Sequence, residues 1–125
     1  MLSDKDAIAM IAVRDLQKAS KFYEGMLGLK PESTEGEEVI TYRSGNTLLN
    51  VYHSEFAGTN KATSAVWNVG DELEEIARTL KSKGVAFEHY QMPGLTIEGD
   101  VHVGGEMKVV WFKDPDGNIL SLVSG

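Results

Sequence analysis

The side chains best suited to acid–base or metal chemistry are three histidines and the carboxylates near them: His53, His89 and His102. None has the i, i+4 spacing to a second histidine, with an intervening glutamate, by which metalloprotease helices hold zinc. His102 is the strongest candidate, because Glu98, Asp100 and His102 alternate onto one side if residues 96–103 form a strand. Such a row, with Glu106 close in sequence, could bind a metal or serve as acid and base. A solvated polar face is the favoured interpretation.

The other two histidines end predicted strands. His53 precedes a loop and is expected to be exposed, whereas His89 and Tyr90 are expected to cap a cleft. The chain has no Gly-x-Ser-x-Gly segment, no phosphate loop and no Gly-x-Gly-x-x-Gly after a strand. Acyl transfer by a serine nucleophile and binding of a nucleotide cofactor therefore have no support.

The composition narrows the class of protein. The chain has 125 residues, a formal net charge of −7 and no cysteine. Its scattered cations argue against nucleic acid or a membrane surface as partner, because phosphate binding needs clustered Lys and Arg. No apolar run approaches the roughly 18 residues of a membrane span. A cysteine-free, acidic chain of this size predicts a single cytoplasmic domain that folds without disulfide support.

The same sequence pattern occurs twice in the chain. Asp15 to Gly28 and Asp71 to Gly84 are equally spaced, and each stretch opens after a short apolar run. We therefore predict two βαβββ modules, at about residues 7–53 and 64–123, joined by a linker over residues 54–63. Two half-sheets of this size need each other to bury both faces, so a cleft between them is expected to carry the function.

Local signals place the elements of each module. Asp15 predicts a helix N-cap and Gly28 a left-handed helix end, while Asp114-Pro115-Asp116-Gly117 predicts the turn before the last strand. The second module carries an insertion over residues 91–107, rich in Gly, which we interpret as a flap over the cleft. Strands are predicted at 7–13, 37–42, 47–52, 64–69, 85–90, 108–112 and 119–123, and helices at 15–26 and 72–83.

Two parts of the chain resemble a known family. They are residues 11–16 (Ile-Ala-Val-Arg-Asp-Leu) with 22–23 (Phe-Tyr) and 27–29 (Leu-Gly-Leu), and residues 111–118 (Trp-Phe-Lys-Asp-Pro-Asp-Gly-Asn). They are similar to the vicinal oxygen chelate superfamily, which includes glyoxalases, bleomycin-resistance proteins, fosfomycin-modifying enzymes and extradiol dioxygenases. The resemblance implies an α+β fold, with paired βαβββ modules forming a curved eight-stranded mixed sheet around a cleft, commonly in a homodimer.

The resemblance also maps the metal-ligand positions of the family's enzymes onto this chain. They fall on Ile8, Asn50, Ser64 and Ser121, and none of these side chains offers a histidine nitrogen or a carboxylate oxygen. Because hard divalent ions need such donors, no metal and no other cofactor is expected.

Strand alternation predicts the lining of the cleft. It is apolar with a few polar groups, as in small-molecule sites. Asn50, Ser64 and Ser121 could equally be ordinary buried polar groups. Trp67 is expected on the helix-packing face, and Trp111 at the mouth of the cleft. The ligand-binding candidates are Met10, Asn50, Tyr52, Ser64, Asn68, Trp111 and Ser121.

Two functions follow. The first is a homodimeric, metal-free protein that binds or sequesters a small, partly apolar organic molecule, as implied by the bleomycin-resistance resemblance. The second is an enzyme of the same fold, a lyase, isomerase or dioxygenase-like protein. That enzyme would use His102 and nearby carboxylates, either directly or through displaced metal ligands.

Overall fold

The first compact unit of the chain spans residues 1–60 and has one helix packed beside a four-stranded sheet. The structure, a computed structural model, describes residues 1–124. In chain order the elements are β1 (Ala9–Val13), α1 (Leu16–Ser20) continuing as a π-helical segment (Lys21–Met26), β2 (Lys30–Glu35), β3 (Val39–Ser44) and β4 (Thr47–His53). The strand order is β1-β4-β3-β2, with β1 parallel to β4 and the other pairs antiparallel. The predicted βαβββ module is confirmed.

Local chemistry explains both ends of the first helix. The Asp15 carboxylate accepts hydrogen bonds from the amides of Gln17 at 2.9 Å and Lys18 at 3.2 Å, as the N-cap prediction requires. At the other end Gly28 has φ 76°, and the following Leu29 amide donates to the carbonyl of Tyr23.

Tyr42 joins the sheet of this unit to its helix. The side chain is fully buried, and its ring stacks on Tyr23 with centroids 6.1 Å apart. The hydroxyl donates a 2.7 Å hydrogen bond to Oε2 of Glu24. The surrounding core consists of Ile11, Val13, Ala19, Phe22, Leu49 and Val51.

The second unit, from residue 61 onward, has one helix and six strands, one of which is only two residues long. Its elements are β5 (Thr63–Asn68), a 3-10 turn (Gly70–Glu72), α2 (Leu73–Ser82), β6 (Phe87–Glu88), β7 (Thr96–Glu98), β8 (Val101–Gly104), β9 (Met107–Lys113) and β10 (Ile119–Ser124). The order is β5-β10-β9-β8-β7, and β6 also pairs with β9. The chain thus forms an α+β fold with sheets of four and six strands, ten strands in place of the expected eight.

The insertion is accommodated because one edge of β9 serves two partners. Phe112 and Trp111 pair with β6, whereas Val109, Lys108 and Met107 pair with β8. The chain leaves the sheet after β6, returns as the β7–β8 hairpin, and continues the same edge. Residues 91–107 are therefore largely a hairpin built into the sheet, and their closing over a cleft stays a prediction.

The structure differs from the sequence analysis at one predicted strand, at one strand considered only as a condition, and at one strand not predicted. Residues 96–103 form no continuous strand, because Gly99 adopts φ 66° and turns the chain between β7 and β8. The strand predicted at 85–90 shrinks to Phe87–Glu88. Strand β2 was missed, since its Lys-Pro-Glu-Ser-Thr-Glu sequence is exposed throughout and has no apolar alternation.

The Asp-Pro-Asp-Gly-Asn segment forms a hydrogen-bonded turn between β9 and β10. Oδ1 of Asp114 accepts from the amides of Asp116 and Asn118, each at 2.9 Å, and Oδ2 accepts from Nδ2 of Asn118 at 2.8 Å. Both Asp114 and Asn118 are buried. The segment therefore fixes the register of the last two strands. Within residues 1–124, no helix is both long and apolar enough to cross a bilayer.

Candidate functional site

One candidate surface lies on a face of the first unit's sheet, where β1, β4 and β3 run side by side. Met10 pairs with Asn50, and Asn50 pairs with Thr41, so the three side chains form a row across the strands. Oγ1 of Thr41 donates to Oδ1 of Asn50 at 2.7 Å, and Nδ2 of Asn50 lies 3.5 Å from Sδ of Met10. Because a thioether is a weak acceptor, the Asn50 amide presents N–H groups at this surface.

Tyr52 belongs to the same face, next to the row. It pairs with Ala12 and Val39 and is half-buried. Met10 is 52% exposed and Ile8 is 44% exposed, so the surface is apolar in part. The roles of Met10, Asn50 and Tyr52 in ligand binding stay predictions.

A second candidate surface lies on a face of the second unit's sheet. Ser121 pairs with Val66 on β5 and with Trp111 on β9, and Val123 pairs with Asn68. Ser121 is 3% exposed, whereas Val66 is 57% exposed and Trp111 is half-buried. Trp67 takes the opposite face, where it pairs with the buried Leu122, in agreement with its predicted orientation.

Two ligand candidates on β5 differ in their settings. Ser64 sits at a register shift, since Ile119 pairs with Thr63 and Leu120 with Ala65. Ser64 is half-buried there, and the irregularity displaces it from a regular cross-strand pair. Oδ1 of Asn68 accepts from the amide of Gly70 at 3.2 Å, which helps to begin the 3-10 turn.

His102 has the most unusual environment of the three histidines. Its side chain is fully buried, and its Nε2 accepts a 2.9 Å hydrogen bond from the amide of Tyr90. Trp111 packs against the imidazole at 4.7 Å between centroids in a T-shaped contact, and Tyr90 stacks at 6.4 Å. Nδ1 is buried and has no hydrogen-bond partner among residues 1–124. The solvated face expected for His102 is wrong, because β8 carries it into the sheet beside Val109.

The carboxylate of Asp100, directly before β8, contacts two nitrogen-bearing side chains. Nζ of Lys81 lies 2.9 Å from Oδ2, and Nε2 of His89 lies 2.9 Å from Oδ1. The hydrogen bond from Lys81, followed by that from His89, holds the pKa of the Asp100 carboxyl below its usual range. This cluster connects α2, β6 and the hairpin at the surface of the second unit.

The row of Glu98, Asp100 and His102 does not form. Glu98 and Glu106 are exposed, and Asp100 contacts His89 and Lys81 instead of His102. His53 lies at the edge of the first unit, with 47% of its side chain exposed and Nδ1 4.0 Å from Glu38. Within residues 1–124, no three His, Asp or Glu side chains gather closely enough to hold a metal ion.

Comparison with known proteins then identifies the family. A model of the Glyoxalase/Bleomycin resistance protein/Dioxygenase superfamily matches residues 7–122. The chain belongs to this superfamily. The resemblance drawn from residues 11–29 and 111–118 is thereby confirmed.

Several proteins of known structure share the fold of this chain. An integron cassette protein from the mobile metagenome of the Halifax Harbour sewage outfall is 19% identical, with a TM-score of 0.72 over 98% of this chain and 99% of that one. Lactoylglutathione lyase from Agrobacterium tumefaciens is 15% identical, with a TM-score of 0.73 over 98% of this chain and 94% of that one. The fosfomycin resistance protein FosX from Listeria monocytogenes, solved with Mn(II) and sulfate, is 15% identical, with a TM-score of 0.72 over 100% and 92%. At these identities the likeness concerns the fold.

Sequence reasoning missed two features of these surfaces. Thr41 was not selected, although its position opposite Asn50 follows once β3 is placed beside β4. The contact between Tyr90 and His102 joins residues that are far apart in sequence, so no local spacing predicts it.

Proposed function

We propose that this protein binds a small, partly apolar organic molecule on one of the two sheet faces described above, without a resident metal. The observation that carries this proposal is the orientation of the Asn50 amide. Its carbonyl oxygen accepts from Thr41, and its Nδ2 points to Met10. A cation needs an oxygen or nitrogen lone pair, whereas an N–H group suits a carbonyl or another acceptor on a ligand.

The donor chemistry at the mapped ligand positions agrees with this proposal. Ile8 has no donor atom, and Ser64 and Ser121 offer only neutral hydroxyl groups. Zinc and other transition ions prefer imidazole, thiolate or carboxylate, and magnesium and calcium prefer several charged or carbonyl oxygens. These side chains do not fit the metal sites of the family's enzymes.

Apolar contact would provide most of the affinity. Met10 and Val66 expose about half of their side chains on their respective sheet faces. Covering such groups is worth roughly 25 cal/mol for each Å² of apolar surface removed from water. Trp111 adds a half-buried ring that can stack on a flat ligand. We infer that the protein sequesters its ligand, as the resemblance to bleomycin-resistance proteins implies.

Replacing the polar groups tests this proposal. Asn50→Ala should keep the fold at a cost of about 1 kcal/mol for the hydrogen bond lost to Thr41, and Ser121→Ala should also keep the fold. Affinity should fall about 5- to 150-fold for a ligand found by thermal-shift screening, because the ligand's polar group loses its partner. Calorimetric titration measures this change. Asn46→Ala, in an exposed turn of the same unit, is the matched control. Wild-type affinity in both variants would contradict the assignment.

We further propose that the protein is a cytoplasmic homodimer. Edge strand β2 exposes all six of its residues, and open edges of this kind are commonly covered by pairing with a second copy. Light scattering in EDTA should give twice the mass of the 13.7 kDa chain. A stable monomer at micromolar concentration would remove the homodimer from the proposal.

A further inference from the structure

The hydrogen bonds of His102 fix which of its ring nitrogens carries the proton. Nε2 accepts from the Tyr90 amide at 2.9 Å, so this nitrogen must present a lone pair. A neutral imidazole has one protonated and one unprotonated nitrogen. The proton therefore resides on Nδ1, a tautomer that follows from the hydrogen bond. His102 consequently holds a buried N–H donor for which the described part of the chain offers no acceptor.

A buried donor without an acceptor is costly, and such groups are rare in folded proteins. The T-shaped contact with Trp111 offers at most a weak N–H···π interaction, which does not replace a normal hydrogen bond. A partner of Nδ1 that is absent from the protein itself would remove this cost. The same sheet face carries the ligand candidates Trp111 and Ser121.

The groups around His102 indicate the shape of that partner. The rings of Tyr90 and Trp111 meet at 5.4 Å between centroids, and both lie within 6.4 Å of the imidazole. Both rings are half-buried, whereas the imidazole is closed to solvent. A ligand would reach Nδ1 by displacing one of these rings and taking up its aromatic contacts.

We infer that Nδ1–H of His102 donates a hydrogen bond to a carbonyl-type acceptor on a flat aromatic ligand that takes the place of one neighbouring ring, Tyr90 or Trp111, and packs against the other. This inference rests on the proposed binding function and specifies its ligand class as aryl carbonyl compounds. His102 then has two separable roles: Nε2 holds the Tyr90 backbone and Nδ1 recognises the ligand.

Two substitutions separate these roles. In His102→Gln, the side-chain oxygen can occupy the place of Nε2 and still accept from the Tyr90 amide, but the Nδ1 donor is lost. In His102→Asn, the amide nitrogen can occupy the place of Nδ1, but the acceptor for Tyr90 is lost. The inference predicts that His102→Gln is nearly as stable as the wild type, whereas His102→Asn is clearly less stable.

Binding is measured with two matched probes, acetophenone and ethylbenzene, which differ in the carbonyl oxygen. Titration is followed through Trp111 fluorescence in a Trp67→Phe background, with NMR shifts of the Trp111 indole as a second readout. Wild type should bind acetophenone about tenfold more tightly than ethylbenzene, as expected for one hydrogen bond to an otherwise unpaired donor. His102→Gln should remove this preference, and His102→Asn should retain it.

Four results would overturn the inference, three of them without touching the binding of small aromatic molecules. One is an imidazole protonated at Nε2, seen in the ¹⁵N shifts of His102, which need no ligand. Another is equal affinity for both probes in the wild type, which would leave the proposed apolar binding in place. The third is an unchanged preference in His102→Gln. If neither probe bound the wild type, both the inference and the binding of small aromatic molecules at this face would fail.

Discussion

Oγ1 of Thr41 lies 2.7 Å from Oδ1 of Asn50, across adjacent strands of the first unit. In this arrangement the oxygen end of the Asn50 amide faces Thr41. With the oxygen occupied, Nδ2 is directed to the thioether of Met10. The surface therefore presents a donor at Asn50, one of the positions onto which the resemblance maps a metal ligand.

Removing the Thr41 hydroxyl should leave the Asn50 amide free to change its orientation. Thr41→Val keeps the shape of the side chain and should lower the free energy of unfolding by about 1 kcal/mol, measured by urea denaturation. Thr47→Val is the control, because Thr47 is exposed and its hydroxyl bonds only the nearby Ser44 carbonyl. Equal losses of unfolding free energy in the two variants would show that the Thr41–Asn50 hydrogen bond stabilises the fold no more than an exposed one.

Tyr42 should make stability sensitive to alkaline pH. Burial, and then the hydrogen bond to Glu24, raises the pKa of Tyr42 far above its usual value of 10.0. A tyrosine with a raised pKa contributes stability that is complete below the unfolded pKa and is lost as pH rises above it.

Tyr42→Phe should therefore cost about 2 kcal/mol near neutral pH, because a hydrogen bond to a carboxylate is lost. The deficit should shrink as the pH of urea denaturation rises above 10.0. Tyr52→Phe, on the other face of the same sheet, controls for loss of a hydroxyl. A deficit that stays constant with pH would contradict the role of Tyr42.

Much of the fold could be predicted because its signals are local. The Asp15 cap, the Gly28 helix end and the turn at Asp114 each depend on a few neighbouring residues. Strand β2 was not predicted, because its six residues are all exposed and its sequence has no apolar alternation. His102 was placed on a solvated face because its burial depends on pairing between β8 and β9, which the sequence of the hairpin does not reveal.

Asp100 should have the opposite pH dependence. Since Lys81 and His89 lower the pKa of its carboxyl from the usual 3.8, its stabilisation is present above that value and is lost as pH falls through the folded pKa. Asp100→Asn should cost about 1 kcal/mol or less at neutral pH, as for partly exposed ion pairs. The cost should vanish at strongly acidic pH in urea denaturation.

Asp4→Asn is a matched control for Asp100→Asn. The Asp4 carboxylate lies 3.8 Å from Lys5, and both side chains are mostly exposed, so its loss should change stability little. A cost for Asp100→Asn that persists below the folded pKa would show that the Asp100 contacts act through packing and not through charge.

Gly104 allows residues 94–95 to pack closely on β8. An added Cβ would lie 2.5 Å from Cδ2 of Leu95 and 3.1 Å from the Gly94 carbonyl oxygen. Gly104→Ala should cost about 1 kcal/mol, because overpacking outweighs the smaller backbone gain from replacing glycine. Hydrogen exchange of residues 92–98 should become faster.

Gly25→Ala is the control for Gly104→Ala. Beyond its chain neighbours and its own helix backbone, its added Cβ would meet no atom of residues 1–124 within 4 Å, and its φ is not positive, so this change should be neutral or stabilising. Unchanged exchange over residues 92–98 in Gly104→Ala would show that the close approach of Leu95 does not hold the hairpin in place.

Metal content tests the proposed function most directly. The protein is purified without a His-tag and without added metal, and its transition metals, magnesium and calcium are measured by mass spectrometry. Because Asn50 directs N–H groups to the surface and the other mapped positions offer no charged donor, the content should lie well below one ion per chain. The unfolding midpoint should also be the same with and without EDTA. About one bound metal ion per chain, lost together with stability on adding EDTA, would contradict the proposal.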